Sequence, residues 1–199
     1  RKVAADAGAL TDEWNGYAVL QPTSAATGAL DVGFVPGPTA LPLSKLKVVY
    51  LLGEDGLALH DMASDAFVVY QGHHGDAGAE SADLVLPAAA YTEQSGTYVN
   101  TEGRVQLGER AGFPPGEARE DWRITVDLAN RMGLGWQYDG PADVFAEMKI
   151  NMRSLDNITW GRLEREGAVT YPCKTPDGPG EGPGTYGVCC NRSAACYCV

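Results

Sequence analysis

The spacing of apolar positions changes character along the chain. "ADAGALTDEWNGYAVLQPTSAATGALDVG" carries apolar residues at mixed helical spacing, which predicts a helical segment interrupted near Pro22 and then small-residue packing around Ala25 to Leu30. "FVPGPTALPLS" breaks any regular element through Pro36, Pro38 and Pro42 and reads as a connector. The period then shortens. "KLKVVYLLGEDG" holds an apolar run from Val48 to Leu52 closed by Gly53, "AFVVYQG" a second from Ala66 to Gly72, and "ADLVLP" a third from Ala82 to Pro87. Their β-branched and aromatic content predicts buried strands. The intervals between them are too long for hairpin turns and suit crossovers, and near-continuous apolar strands are typical of parallel sheets covered on both faces. The expected fold class is therefore α/β with a Rossmann-like parallel layer.

Helical spacing returns afterwards. In "AREDWRITVDLANRMGLG" Trp122, Val126, Ala129 and Met132 fall on one stripe with Leu128 beside it, acidic residues open the segment and Gly133 can close it. "GPADVFAEMK" places Pro141 at a first helical position with Val144 one turn from Met148. "TWGRLEREG" gives a short third helix capped by Thr159 and ended near Gly167. No internal repeat is visible.

Composition narrows the function. The 199 residues, 44% of them apolar, suffice for a real core. A formal charge of -11 with 15 Lys and Arg argues against nucleic acid or an anionic membrane face as a direct partner, since both require a basic footprint. No apolar run approaches the roughly 18 to 20 residues that span a bilayer. The chain opens without methionine, as though begun midway through an element, which suggests a piece of something larger. All five cysteines, Cys173, Cys189, Cys190, Cys196 and Cys198, lie at the end, so the main fold needs no disulfide. Their spacing in "CCNRSAACYC" fits no familiar four-ligand metal or cluster pattern. The Pro- and Gly-rich "CKTPDGPGEGPGTYG" ahead of it predicts a disordered tail.

Candidate chemistry gathers where strands of an open parallel sheet end, because ligands sit at their carboxyl ends. "LLGEDG" and "YQGHHGDAG" occupy those positions. Gly72, Gly75 and Gly78 would let the backbone approach a phosphate or a pterin, but the spacing is not the dinucleotide fingerprint, and Glu54 and Asp55 would repel a phosphate. His73 and His74 are adjacent, so in an extended loop their rings point to opposite sides and do not easily share a metal. One of them with Asp76 could ligate or move a proton; hydrogen-bonded loop histidines are the plainer reading. "YTEQSGTYVNTEGR" carries Glu93, Thr97, Asn100, Glu102 and Arg104 between turns at Gly96 and Gly103, and predicts a loop stapled by side-chain to backbone hydrogen bonds, with Arg104 paired to a carboxylate. Asp83, at a strand start, suits capping, and no Ser/His/Asp arrangement suggests a nucleophile.

"YQGHHGDAGAESADLVLPAAAYTEQSGTYVNTEGRVQ" closely resembles the C-terminal part of the large iron–sulfur subunit of respiratory complex I, the NADH:quinone oxidoreductase, and "ATGALDVGFVPG" before it and "GFPPGEAREDWRI" after it resemble the same family in the same order. The resemblance runs from about Glu13 to Ile150. That family shares this fold with the molybdopterin oxidoreductases, in which the corresponding domain helps enclose a bis-pterin. The resemblance implies residues 1–150 as the C-terminal portion of a molybdopterin oxidoreductase-like domain, 151–172 as a short helical extension and 173–199 as the tail. It implies a relic of the pterin site that serves as scaffold, with no catalytic, cofactor-binding or metal-ligating residue in this segment. The iron–sulfur clusters would belong to an N-terminal region that this chain does not contain. The implied partners are other subunits of the peripheral arm, at the matrix side of the mitochondrial inner membrane or the cytoplasmic face of the bacterial one. The alternative is a molybdenum or tungsten bis-pterin oxidoreductase, because "ITWGRLEREGAVTYPC" is similar to the late segment of formate dehydrogenase-type subunits. In that case the Gly72 to Gly78 and Gly96 to Arg104 loops would line the pterin.

Overall fold

The computed structural model describes residues 2–11, 16–17, 26–34, 37, 39–57 and 59–180. In chain order its regular elements are α1 (Lys2–Asp6), α2 (Ala26–Asp31), β1 (Val48–Leu52), β2 (Phe67–Gly72), α3 (Ala77–Glu80), β3 (Leu84–Pro87), β4 (Gly96–Val99), β5 (Arg104–Gly108), α4 (Asp121–Arg131), α5 (Pro141–Asn151), α6 (Trp160–Glu166) and β6 (Ala168–Thr170). They form two compact units that interleave along the chain. The described residues within 36–95 and 109–139 contribute to one, and those within 2–34, 96–108 and 140–180 to the other. The interruption expected near Pro22 and the cysteines Cys189, Cys190, Cys196 and Cys198 lie outside the described residues.

The three apolar runs build the first unit. They pair in the order β1-β2-β3, parallel throughout, with Val48 opposite Phe67 and Val69 opposite Leu84. Val49, Leu51, Val68 and Tyr70 form its buried core, against which Leu46, Leu57, Met62, Ala79 and Ala82 pack. Burial on both faces holds for β2, where every residue from Val68 to Gly72 is buried. It fails on β1, where Val48 is 63% and Leu52 47% exposed, and on β3, where Leu84 and Val85 are also exposed. An edge strand has a neighbour on one side only, and among the described residues nothing closes over the alternate face of β1. The stripe of α4 is likewise partial: Ala129 is buried, whereas Met132 is 72% exposed because the helix has already ended at Arg131, with Gly133 turning the chain at φ +87°.

The second unit contains elements that periodicity did not reveal. The segment expected to be a loop forms the antiparallel hairpin β4–β5, with Thr97 opposite Leu107 and Val99 opposite Val105, and β6 adds antiparallel to β5. The stapling itself is present. Asn100 Oδ1 accepts from the backbone N–H groups of Glu102 and Arg104, both at 3.0 Å, and Gly103 supplies the left-handed turn at φ +74°. The polar "NTEG" is only the turn; the β-prone residues flanking it pair. Arg104 forms no ion pair among the described residues, in contrast to the expectation. The core here is Val105, Phe145, Leu155, Ile158, Leu163, Val169 and Cys173. Pro141 opens α5, Thr159 Oγ1 caps α6 by accepting from Arg162 N–H at 3.1 Å, and Gly167 ends it at φ +74°. Residues 173–180 of the expected tail are described, and Asn157 Nδ2 donates to the Cys173 carbonyl at 2.8 Å.

Candidate functional site at the carboxyl end of the parallel sheet

The last side chain of β2 before Gly72 is polar, with no solvent to hydrate it. Gln71 is fully buried, so each of its hydrogen-bonding groups needs a partner inside the protein. Its Oε1 accepts from the Tyr50 hydroxyl, and its Nε2 donates to Asp121 Oδ1 at 2.7 Å and to the Asp121 carbonyl at 3.3 Å. Gln94 completes the arrangement: Nε2 donates to Asp121 Oδ2 at 2.6 Å and to the Ala89 carbonyl at 3.3 Å, while Oε1 accepts from Asp121 N–H at 3.0 Å. Two amides thus hold both oxygens of one carboxylate at the first residue of α4, and Gln94 also satisfies one of the unpaired N–H groups of that helix end. The Tyr50 phenol is pushed above its ordinary pKa by burial and by the negative charge of Asp121, so it stays protonated as the donor this network requires. None of Gln71, Gln94 and Asp121 stands out as a chemical group in the sequence. The signal available was Gln71 itself, an amide inside an otherwise apolar strand.

The glycine loop is filled by the chain's own atoms. Asp55, in the loop after β1, accepts the N–H of Gly78 in the first turn of α3 at 2.8 Å, and the Tyr70 hydroxyl lies 3.3 Å from its other oxygen. A Cβ on Gly78 would stand 2.7 Å from the Glu54 carbonyl and 2.8 Å from Asp55 Oδ1, and one on Gly72 would strike the Tyr70 ring. These two glycines admit a neighbouring loop and a neighbouring ring, and Gly75 faces open space. The Gly78 N–H is thus occupied by a carboxylate, which has the charge sign of a phosphate.

The remaining candidates disperse. His73 and His74 are exposed and sit edge to face, their ring centroids 4.3 Å apart, so the bend after β2 brings together rings that an extended loop would have separated. No group of three or more His, Cys, Asp and Glu able to hold a metal occurs among the described residues. Asp83 Oδ2 accepts from Val68 N–H at 2.8 Å and caps the strand pairing. Glu93 accepts from Ala90 N–H at 2.9 Å and belongs to the parallel-sheet unit, whereas Thr97, Asn100, Glu102 and Arg104 belong to the antiparallel one.

A parallel layer with glycine loops at its carboxyl end defines a class, and the sequence comparison names it: the chain belongs to the molybdopterin oxidoreductase family, whose model matches residues 2–131. Within that family the chain is similar to two named relatives. It is 51% identical over 152 residues to the mitochondrial NADH-ubiquinone oxidoreductase 78 kDa subunit of Neurospora crassa, covering 75% of this chain and 20% of that protein. It is 44% identical over 178 residues to a subunit of the NADH-quinone oxidoreductase of Rickettsia conorii, covering 88% of this chain and 26% of that protein. The chain thus spans only about a fifth to a quarter of the length of these relatives. Acetylene hydratase from Pelobacter acetylenicus superposes on 74% of the chain and 21% of its own with a TM-score of 0.49 and 21% identity.

Proposed function

We propose that this chain is the C-terminal piece of the large iron–sulfur subunit of an NADH:quinone oxidoreductase, where it acts as a scaffold in the peripheral arm and holds no pterin, metal or cluster of its own. The observation that carries the reading is its similarity to a mitochondrial and a bacterial relative that both bear NADH oxidoreductase names. The glycine loop supports the scaffold role. Asp55 takes the Gly78 N–H that a phosphate would need, and Gln71, Gln94 and Asp121 spend their hydrogen bonds on one another. Polar groups that are fully satisfied internally rigidify a fold and leave little to offer a substrate.

The exposed apolar side chains of β1 and β3 suit a segment that works inside an assembly. The partners are then other subunits of the arm, at the matrix side of the mitochondrial inner membrane or the cytoplasmic face of the bacterial one. No helix among the described residues is long and apolar enough to cross a membrane. The test is a native gel of membranes from the source, stained for NADH dehydrogenase activity and probed with an antibody against residues 72–104. The expected signal co-migrates with a large NADH-oxidising band. A smaller species lacking that activity and carrying stoichiometric molybdenum or tungsten would overturn the proposal in favour of a bis-pterin oxidoreductase.

A further inference from the structure

A cleft of about 480 Å³ opens beside the first two turns of α4, entirely within the parallel-sheet unit. Pro114, Trp122 and Val126 supply its apolar lining, and Arg110, Arg119 and Arg123 bring three guanidinium groups to it. In a chain with 26 acidic and 15 basic residues this convergence needs a cause. Two carboxylates line the same cleft. Glu120, buried, holds Arg123 at 2.6 Å and Arg110 at 3.8 Å, while Asp127 pairs with Arg119 at 2.8 Å. Three cations against two anions leave one positive charge. Each guanidinium also has five N–H donors, of which these pairs use few. The side chains of Arg119 and Arg123 are 59% and 57% exposed, so their remaining donors face solvent. The buried indole N–H of Trp122 has no acceptor among the described residues.

We propose that this cleft docks an acidic, extended peptide segment of a partner protein, with a carboxylate on Arg119 or Arg123 and an apolar side chain against Trp122 and Val126. Arginine with an aromatic neighbour is the composition of energetic anchors at protein interfaces, and a planar guanidinium receives a carboxylate through two parallel hydrogen bonds. Arg123 is held in place for this by Glu120 and by its position 4.9 Å from the Trp122 ring centre. An inorganic anion would satisfy the charge and leave the apolar lining wet; a basic peptide would meet the wrong sign. The inference stands whichever assembly the chain joins.

The test uses the full chain and a fluorescein-labelled peptide of alternating Glu and Leu, with an alternating Lys and Leu peptide as control, followed by anisotropy. The expected result is saturable binding of the acidic peptide only. It should weaken at least about tenfold in Arg119→Glu/Arg123→Glu, and by a smaller factor in Arg119→Gln, whose exposed site leaves folding intact. Far-UV circular dichroism accompanies each variant. Absence of binding, equal binding of the basic peptide, equal affinity in Arg119→Gln, or full displacement by tripolyphosphate at matched charge would each overturn the proposal.

Discussion

At the centre of the parallel sheet a fully buried residue near the end of β2 is an amide, Gln71, joined through Asp121 to Gln94; at the centre of the antiparallel unit the fully buried positions are Val105, Ile158 and Leu163. The first unit fixes its helix α4 by directed hydrogen bonds at one end. The second buries Leu163 of α6 in its apolar core, and its buried charge, Arg162, is met by four acceptor atoms: Nε donates to both oxygens of Glu166 at 3.0 and 3.1 Å, and its other nitrogens donate to the Asn157 and Gly178 carbonyls at 3.2 and 2.8 Å. Apolar packing tolerates small displacements and loses stability in proportion to the volume removed, whereas a closed polar network loses most of its value when one member leaves. In the parallel unit it is the cluster of Gln71, Gln94 and Asp121 at the carboxyl end of the sheet whose polar groups are bonded to one another.

The comparison can be broken most forcefully in the apolar core. Leu163→Ala should destabilise the antiparallel unit by about 2–5 kcal/mol, seen as loss of hydrogen-exchange protection in β5 and β6. Protection in β2 that fell by as much would show that the two units unfold as one. Arg162→Met removes the guanidinium from two backbone carbonyls and is expected to cost about 1.5–3 kcal/mol in denaturant unfolding. A neutral outcome would mean that those carbonyls find water.

In the parallel unit, Gln71→Leu keeps the size and removes the amide, leaving Asp121 with one donor fewer, for an expected loss of about 1–3 kcal/mol. A double-mutant cycle with Gln94→Leu sharpens this. Coupling of about 0.5 kcal/mol or more marks a network, and additive effects would make the two amides independent. Gly78→Ala drives a methyl into the Glu54 carbonyl and should cost about 1–2 kcal/mol. If it instead released Asp55 and created phosphate binding, the glycine loop would be a masked site.

The smallest effects are those of pH. Hydrogen bonds from Arg162, with the charges of Arg162 and Arg165, hold the Glu166 carboxyl below its usual range against a weaker opposing effect of burial. A lowered folded pKa stabilises above the unfolded value, and the gain is lost as pH falls through the folded one. Asp31 is the reverse: burial raises it and the hydrogen bond from Tyr171 only partly offsets this, so its contribution is present below the ordinary aspartate value and lost as pH rises through the folded one. Thermal unfolding of Asp31→Asn between about pH 3 and pH 7 should lose the second trend and keep the first.

What was legible in the sequence were features set by neighbours in the chain. The strands at 48–52, 67–72 and 84–87 follow from continuous β-prone apolar runs, α6 from Thr159 and Gly167 at its ends, and the stapled turn from Asn100 with Gly103. Family membership was legible too, because motif order survives in a linear text. Tertiary structure alone decided what depends on distant residues. The hairpin β4–β5 gains its burial from β6, more than sixty residues later, and its own pattern is too short to announce strands. Asp121, an ordinary helix-opening acid in the text, becomes the hub of a buried network only when Gln71 and Gln94 arrive from 50 and 27 residues away. Hydrogen-bond satisfaction is a property of positions in space, and spacing along a chain does not encode which donor will reach a given oxygen.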